Sequence, residues 1–321
     1  MYHKALFLDH LSSSRTLKTL LSFLNNTGSV IICLLTTNNY KKTAAAVTDI
    51  EDLKLSISRC IEEVRGWCAS RHLQLNASKT ELIWFGSSSN LRRLSSIDST
   101  LTVGTDVIHP TSTVRDLGVY LDSELTMKEH INRTARSCFF QLRRLRQIRR
   151  LAGQEVTKRL VSALVLSRLD YCNSTLAGLP QTTLHPLQRV QNAAARLIAD
   201  AKPRDHITPV MKDLHWLPVT FRIKYKLCLL MHLINIHQCP EYLQDVVSLT
   251  SAVATRPGLR SSDGLNYQKP ATRTKFGEHA FSHAGPAEWN DLPDSLQDTL
   301  NTKQFKRNLK TFLFNSAYST D

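Results

Sequence analysis

Basic side chains are concentrated in one stretch of the chain. Between residues 133 and 159 stand Arg133, Arg136, Arg143, Arg144, Arg146, Arg149, Arg150, Lys158 and Arg159, opposed by the single acid Glu155. Guanidinium groups are planar, permanently charged forks that pair bidentately with phosphate oxygens, so this density suits a polyanion backbone rather than individual bases. Leu142, Leu145, Ile148 and Leu151 recur at helical spacing and are expected to form one apolar face, with the arginines on the remaining arc. The competing reading is a solvated helix face without a ligand. A second basic group, Arg256, Arg260, Lys269, Arg273 and Lys275, is opposed only by Asp263, and phosphate contact and solvated charge stand as equal readings of it.

Other chemistries find weaker anchors. Cys228, His232, His237 and Cys239 form C-x3-H-x4-H-x-C, in which Cys228 and His232 share a helix face, but the spacing is that of no zinc module and Cys228 lies inside the apolar run LCLLM. Core packing is the expected role, and no metal site is assigned. There is no G-x-S-x-G, no G-x-x-x-x-G-K-[ST] and no G-x-G-x-x-G, so hydrolase, NTPase and dinucleotide-binding classes have no support. Asp213 and His215 are too close in sequence to imply a triad. Trp216, Trp289 and Tyr171 are of the type that stacks on bases, yet beside Leu and Pro they read as core anchors.

The bulk numbers agree with a polyanion partner. Across 321 residues, 41 Lys and Arg face 27 Asp and Glu, a formal charge of +14 and a pI near 9.6. Hydrophobic content of 42% is enough for one large or two medium domains with real cores. Seven cysteines, an odd set without a C-x-x-C pair, point to a reducing compartment and hence to an intracellular protein of the cytoplasm or nucleus. The best apolar run, Val30 to Leu35, is far shorter than the roughly 20 residues a spanning helix needs, so no membrane association is expected.

The elements that must position these groups follow a separate stretch, residues 1–48, which ends in the polar sequence TTNNYKKT and reads as a leader. From Asp49, Leu53, Ile57, Ile61, Val64 and Trp67 recur at helical spacing. Short strands are expected at His72 to Leu75, Leu82 to Phe85, Leu101 to Val103 and Leu117 to Leu121, forming a small antiparallel sheet beside that helix. Long helices come next, roughly Thr126 to Leu151, Gln154 to Ser167, Pro186 to Asp200 and Pro218 to His237, with Pro186 and Pro218 expected in first turns where a missing N–H is tolerated. Leu249 to Pro293 reads as irregular structure with short strands around Phe281 and Trp289. A last helix places Phe305, Leu309, Phe312 and Leu313 on one face and Lys303, Lys306, Arg307 and Lys310 on the other.

Several of these segments carry a family resemblance. HLQLNASKTELIWFG (His72 to Gly86), VRDLGVYLD (Val114 to Asp122) and EHINRTAR (Glu129 to Arg136) are followed in order by SRLDYCNSTLAGLP (Ser167 to Pro180), LQRVQNAAARLI (Leu187 to Ile198) and LHWLPVTFRIKYKL (Leu214 to Leu227). After them come PEYL (Pro240 to Leu243), TRPGLRSSDG (Thr255 to Gly264), GPAEWNDLP (Gly285 to Pro293) and FKRNLKTFLF (Phe305 to Phe314). In content and order the series resembles the C-terminal half of reverse transcriptases of LINE-type, jockey-like non-LTR retrotransposons, over about residues 50 to 316.

The resemblance implies an α+β, mostly helical fold: a partial right-hand polymerase palm of short antiparallel strands plus a helix over 49–125, a basic helical thumb over 126–200 and a helix-rich C-terminal region over 201–321. It implies a primer-grip-like turn at Leu117, Gly118 and Val119, and a thumb whose arginines hold an RNA–DNA duplex by its backbone. It also implies a departure. The family's RNA-directed DNA polymerases hold Mg with carboxylates from a Tyr/Phe-Ala-Asp-Asp turn just upstream of the matched region, and this chain has no adjacent Asp-Asp pair; Asp9 and the run Asp49, Glu51, Asp52 are the nearest acids. The fingers and early palm find no counterpart either. Nucleotidyl transfer needs two metals clamped by carboxylates, so no cofactor is assigned and the chain is expected to be inactive as an enzyme alone. Lys79, where related polymerases place a general acid, is then vestigial or simply solvated. The expected function is sequence-tolerant binding of nucleic acid. The alternative is a protein-interaction or structural module, using apolar surface that a truncated palm would expose, or a nonfunctional relic.

Overall fold

A computed structural model describes residues 30–35, 40–44, 50–73, 80–94, 96–103, 106–250, 265–272 and 275–319. The chain is a mostly helical α+β protein that divides into two compact units, residues 1–130 with 272–277, and residues 131–271 with 278–321. Among the described residues, no helix is long and apolar enough to cross a membrane.

The first unit is built on strands. β1 (Val30–Leu35) and β2 (Tyr40–Ala44) form an antiparallel hairpin, and β1 also pairs antiparallel with β3 (Glu81–Phe85), giving the strand order β2-β1-β3. The stretch read from sequence as a leader therefore supplies two of this sheet's three strands. Its polar TTNN and KK residues hide a β-branched, apolar strand (VIICLL) followed by a second strand whose partner is fixed only by pairing. β4 (Leu101–Val103) pairs with β5 (Asp106–Ile108), and β6 (Thr113–Asp116) with β7 (Val119–Asp122). The sequence reading missed β5 and β6, each too short to show alternation.

Helix α1 (Ile50–Ser70) packs on these strands through Ile50, Leu53, Ile57 and Ile61, which share a core with Leu82, Trp84, Leu101, Val103 and Ile108. The spacing is that of one helix face. Trp67, assigned to that face from sequence, is 56% exposed and lies under the Arg71 guanidinium at 5.4 Å. The chain then turns at His72, in positive φ, so the residues at 71–73 are a turn and not the expected strand start. Helix α2 (Ser88–Leu94) completes the unit's core with Leu94.

The second unit is helical. α3 (Lys128–Val161) is interrupted at Gly153, whose φ of 70° and ψ of 175° leave the helical path, so it consists of two arms as the spacing predicts. A π-helical turn (Ser162–Leu166) and the short α4 (Ser167–Asp170) lead to α5 (Gln181–Ala199), α6 (Thr208–Asp213), α7 (Val219–Asn235) and α8 (Glu241–Gln244). α9 (Lys275–Glu278) lies mostly in the segment 272–277 that belongs to the first unit, and α10 (Phe281–Asn290), α11 (Asp294–Gln297) and α12 (Thr302–Tyr318) complete the second.

Helix α7 is the axis of this unit. Val219, Ile223, Leu227, Cys228, Leu230, Met231 and Ile234 are buried, an apolar surface on nearly every side, and the helix packs against α5, α10 and α12. From Leu227 to Met231 every residue is buried, as in a helix that runs through a core. At Gly285 of α10, a Cβ would meet the Met231 sulfur at 2.9 Å, so a larger residue there would have to displace the buried Met231 side chain. Two expectations fail here. Pro186 lies inside α5, which begins five residues earlier behind an N-cap at Pro180, and Phe281–Asn290 is helix although it contains Gly285 and Pro286. In both, burial of one face (Leu184, Leu187 and Val190; Phe281, Ala284 and Trp289) outweighs the single hydrogen bond that a proline removes.

Candidate functional site

The first arm of α3 turns a buried face inward through Ile131, Ala135, Cys138, Leu142 and Leu145, each at most 6% exposed. The next member of that series is Arg149, not Ile148. A strict three-residue step drifts back by roughly 60° per step on a helix of 3.6 residues per turn, so the run Leu142, Leu145, Ile148, Leu151 leaves the core. Ile148 is 44% exposed and Leu151 92%.

That geometry divides the basic residues. Arg149, counted from sequence among the phosphate-facing arginines, points inward. Its Nε donates to the Leu197 carbonyl at 2.6 Å, its Nη2 to the Ile198 carbonyl at 3.4 Å, and its Nη1 pairs with the Asp200 carboxylate at 2.9 Å. It caps the C-terminal turn of α5, where carbonyls lack helical donors and the helix dipole favours a cation. Arg133, Arg136, Arg143 and Arg144 are exposed on the opposite arc, and Arg146 and Arg150 are exposed beside Arg149 on the flank of the buried face. Arg136, Arg143, Arg146 and Arg150 make no hydrogen bond or ion pair among the described residues, and Arg144 lies over the Phe140 ring at 5.8 Å. Lys158 and Arg159 follow the break at Gly153 and do not continue the line of the first arm. Arg168, not singled out from sequence, donates to Ser137 Oγ at 2.8 Å.

The turn compared with a primer grip is a two-residue hairpin connection. Leu117 (φ 43°) and Gly118 (φ 88°) stand between the paired Asp116 and Val119, the positive-φ pair that a type I′ turn requires. Leu117 is 50% exposed while Val119 is fully buried. After β7, the Asp122 carboxylate accepts from the backbone N–H of Thr126 (2.8 Å) and Met127 (2.9 Å) and from the Thr126 hydroxyl (3.2 Å), fixing the entry to α3. Lys79, Arg256, Arg260, Arg273 and the TRPGLRSSDG segment lie outside the described residues.

The remaining candidates have structural roles. Cys228 is buried and donates to the Glu288 carbonyl at 3.6 Å; His232 stacks on Phe305 with centroids 4.0 Å apart and planes 7° from parallel; His237 is exposed. Burial, reinforced by the charge of Lys306, lowers the His232 pKa to about 4. Among the described residues no group of three or more His, Cys, Asp and Glu is arranged to hold a metal ion. Asp213 and His215 are both exposed, and Trp216 and Trp289 are buried.

Most of the described motif segments of the second unit also turn inward. Asp170 takes the Arg222 guanidinium through paired contacts at 2.8 and 2.5 Å. Gln191 donates to the Leu217 carbonyl at 2.8 Å, and Gln188 accepts from the Val219 N–H at 2.9 Å. Trp289 donates to the Leu265 carbonyl at 2.9 Å, and Asn290 bridges both backbone groups of Tyr267. A cavity of about 700 Å3 between α5, α6 and the ends of α7 and α12 is lined by Leu184, Gln188, Met211, Val219 and Tyr318, none of which the sequence marked as functional.

No protein-family model, no curated protein and no solved structure matches this chain.

Proposed function

We propose that this chain is a nucleic-acid-binding relative of the C-terminal half of non-LTR retrotransposon reverse transcriptases, which holds a duplex by its phosphate backbone without sequence preference and has no polymerase activity of its own. The observation that carries the reading is the arc of exposed guanidinium groups on the first arm of α3, opposite a continuous buried face. Exposed arginines along a helix can follow a row of phosphates, and the gain comes largely from counterion release. The ordered motif segments support the family reading. In it, residues 49–125 correspond to part of a palm and residues 126–200, which include the first arm of α3, to the thumb.

In this reading the family's carboxylate turn would lie just upstream of His72, where this chain has no adjacent Asp-Asp pair and where Asp49, Glu51 and Asp52 are the nearest acids. Two divalent ions need paired carboxylates to hold them at the reacting oxygens. The residues present therefore do not fit the family's Mg site, and no nucleotidyl-transfer step is derived.

The test is binding of an RNA–DNA duplex across a salt series, beside a triple variant Arg136→Ala, Arg143→Ala, Arg144→Ala. Wild-type affinity is expected to fall steeply with salt, and the variant to flatten the log–log slope by roughly 0.7 to 0.9 for each phosphate that is no longer neutralised. Equal, salt-insensitive binding by both proteins would sink the reading. It would favour instead a protein partner docked on the exposed Phe140, Ile148 and Leu151 that lie among the arginines.

A further inference from the structure

The arginine arc has a concave end. Where the last turns of the first arm of α3 approach the C-terminal end of α5, a groove of about 650 Å3 opens. Positions 146, 149 and 150 on one helix and 193, 196, 197 and 200 on the other line it, each an i, i+3, i+4 set that keeps one helix face turned into the groove. Four guanidinium groups, those of Arg146, Arg149, Arg150 and Arg196, face a single carboxylate, Asp200.

Their states differ. Arg149 is tied to two α5 carbonyls and to Asp200, and forms a fixed floor. Arg196 donates only a long bond from Nη2 to the Asp205 carbonyl, 3.4 Å, while its Nε is shut off from solvent with no acceptor. With that one long bond, the Nη groups of Arg196 keep donors for an oxygen ligand in the groove. Arg146 and Arg150, one helical turn apart on the rim, are exposed and without partners among the described residues.

We propose that this groove is a phosphate-binding pocket that takes the terminal phosphate monoester of a nucleic-acid strand, with Arg196 and Arg150 as its principal ligands. The proposal rests on the nucleic-acid reading above, which brings the strand to the arc. A monoester carries about 1.5 to 2 negative charges and three terminal oxygens, which answers the three guanidinium groups of Arg146, Arg150 and Arg196 around one groove. An internal diester carries one charge and has two such oxygens. The volume leaves room for the terminal sugar beside the phosphate.

The experiment compares RNA–DNA duplexes that differ only in a terminal phosphate or hydroxyl, at the 5′ and at the 3′ end, on the full chain. The phosphorylated form at one end is expected to bind roughly tenfold more tightly, the effect of one charge-assisted contact set. Arg196→Gln and, independently, the exposed Arg150→Gln should bring that ratio close to one, with folding checked by circular dichroism. Inorganic pyrophosphate, followed by phosphorus NMR, should compete for the increment alone. If the duplex binds but the ratio is one at both ends of the wild-type complex, the pocket is overturned and the backbone reading stands. If pyrophosphate binds in an Arg196-dependent way while no duplex binds, the occupant is a free phosphate, and both the strand-end assignment and the nucleic-acid reading are overturned.

Discussion

The arginine arc of α3 and the motif-bearing segments of α5, α7, α10 and α12 treat their polar groups in opposite ways. In the motif segments, Gln188, Gln191, Arg222, Trp289 and Asn290 direct their donors and acceptors into the protein, each with a named partner. On the arc, Arg136, Arg143, Arg146 and Arg150 direct theirs outward to no protein partner among the described residues. The most recognisable sequence is thus the architecture, and the surface suited to a ligand is a run of arginines with little pattern beyond its charge.

The sharpest way to break the contrast is to remove a scaffold residue. Trp289→Ala should destabilise the second unit by about 3 to 5 kcal/mol, the cost of deleting a fully buried aromatic, whereas Arg143→Ala should change stability by less than about 0.5 kcal/mol. Urea unfolding of both variants reads the difference directly. Equal effects would mean that the arc also belongs to the scaffold.

Acid should find the scaffold before the arc. His232 is neutral in its stack against Phe305, with a pKa near 4, and in the unfolded chain it protonates near pH 6.5. As pH falls from about 6.5 to about 4 the unfolded state binds the extra proton, so stability is lost on acidification with a slope approaching 1.4 kcal/mol per pH unit from this group. His130, also held near pKa 4 by burial, adds a similar slope in the first unit. His232→Phe, which keeps the stack, should lessen the slope of the second unit in that window. An unchanged slope would show that the buried ring does not titrate with unfolding.

Arg149 sharpens the comparison from within. Its neighbours in sequence are surface arginines, yet its contacts are those of the scaffold. Arg149→Ala should cost about 2 kcal/mol by removing the cap on α5 and leave the salt slope of duplex binding unchanged, the reverse of the triple variant on the arc. The smallest expected effect lies in the first unit. Leu117→Gly at the positive-φ tip should stabilise by about 0.5 kcal/mol, strain relief of roughly 1 to 2 kcal/mol less the entropy of a glycine in the unfolded chain. A loss of stability instead would show that the Leu117 side chain is held by contacts that outweigh its strain.

Much of the helical frame was legible because it obeys simple periods. Leu53, Ile57 and Ile61 mark a helix face, and the expected gap between helices after Leu151 falls where Gly153 breaks α3. The β1–β2 hairpin was not legible, since a polar connection flanked by short strands looks like a linker until a third strand pairs with it. The start of α5 was displaced because a proline preferred in a first turn is tolerated in the second when the face around it is buried.

The sequence by itself determined the charge, the density of arginines between 133 and 150, the mostly helical character and the absence of an adjacent aspartate pair. These are properties of composition and local spacing, which need no partner from elsewhere in the chain. Only the tertiary structure decided which arginine turns inward, that Arg196 from another helix joins Arg146 and Arg150 around one groove, and that the conspicuous tryptophans and glutamines hold the core. Each of those outcomes depends on which helix faces meet, and a 3.6-residue period allows several faces until packing against a second element selects one.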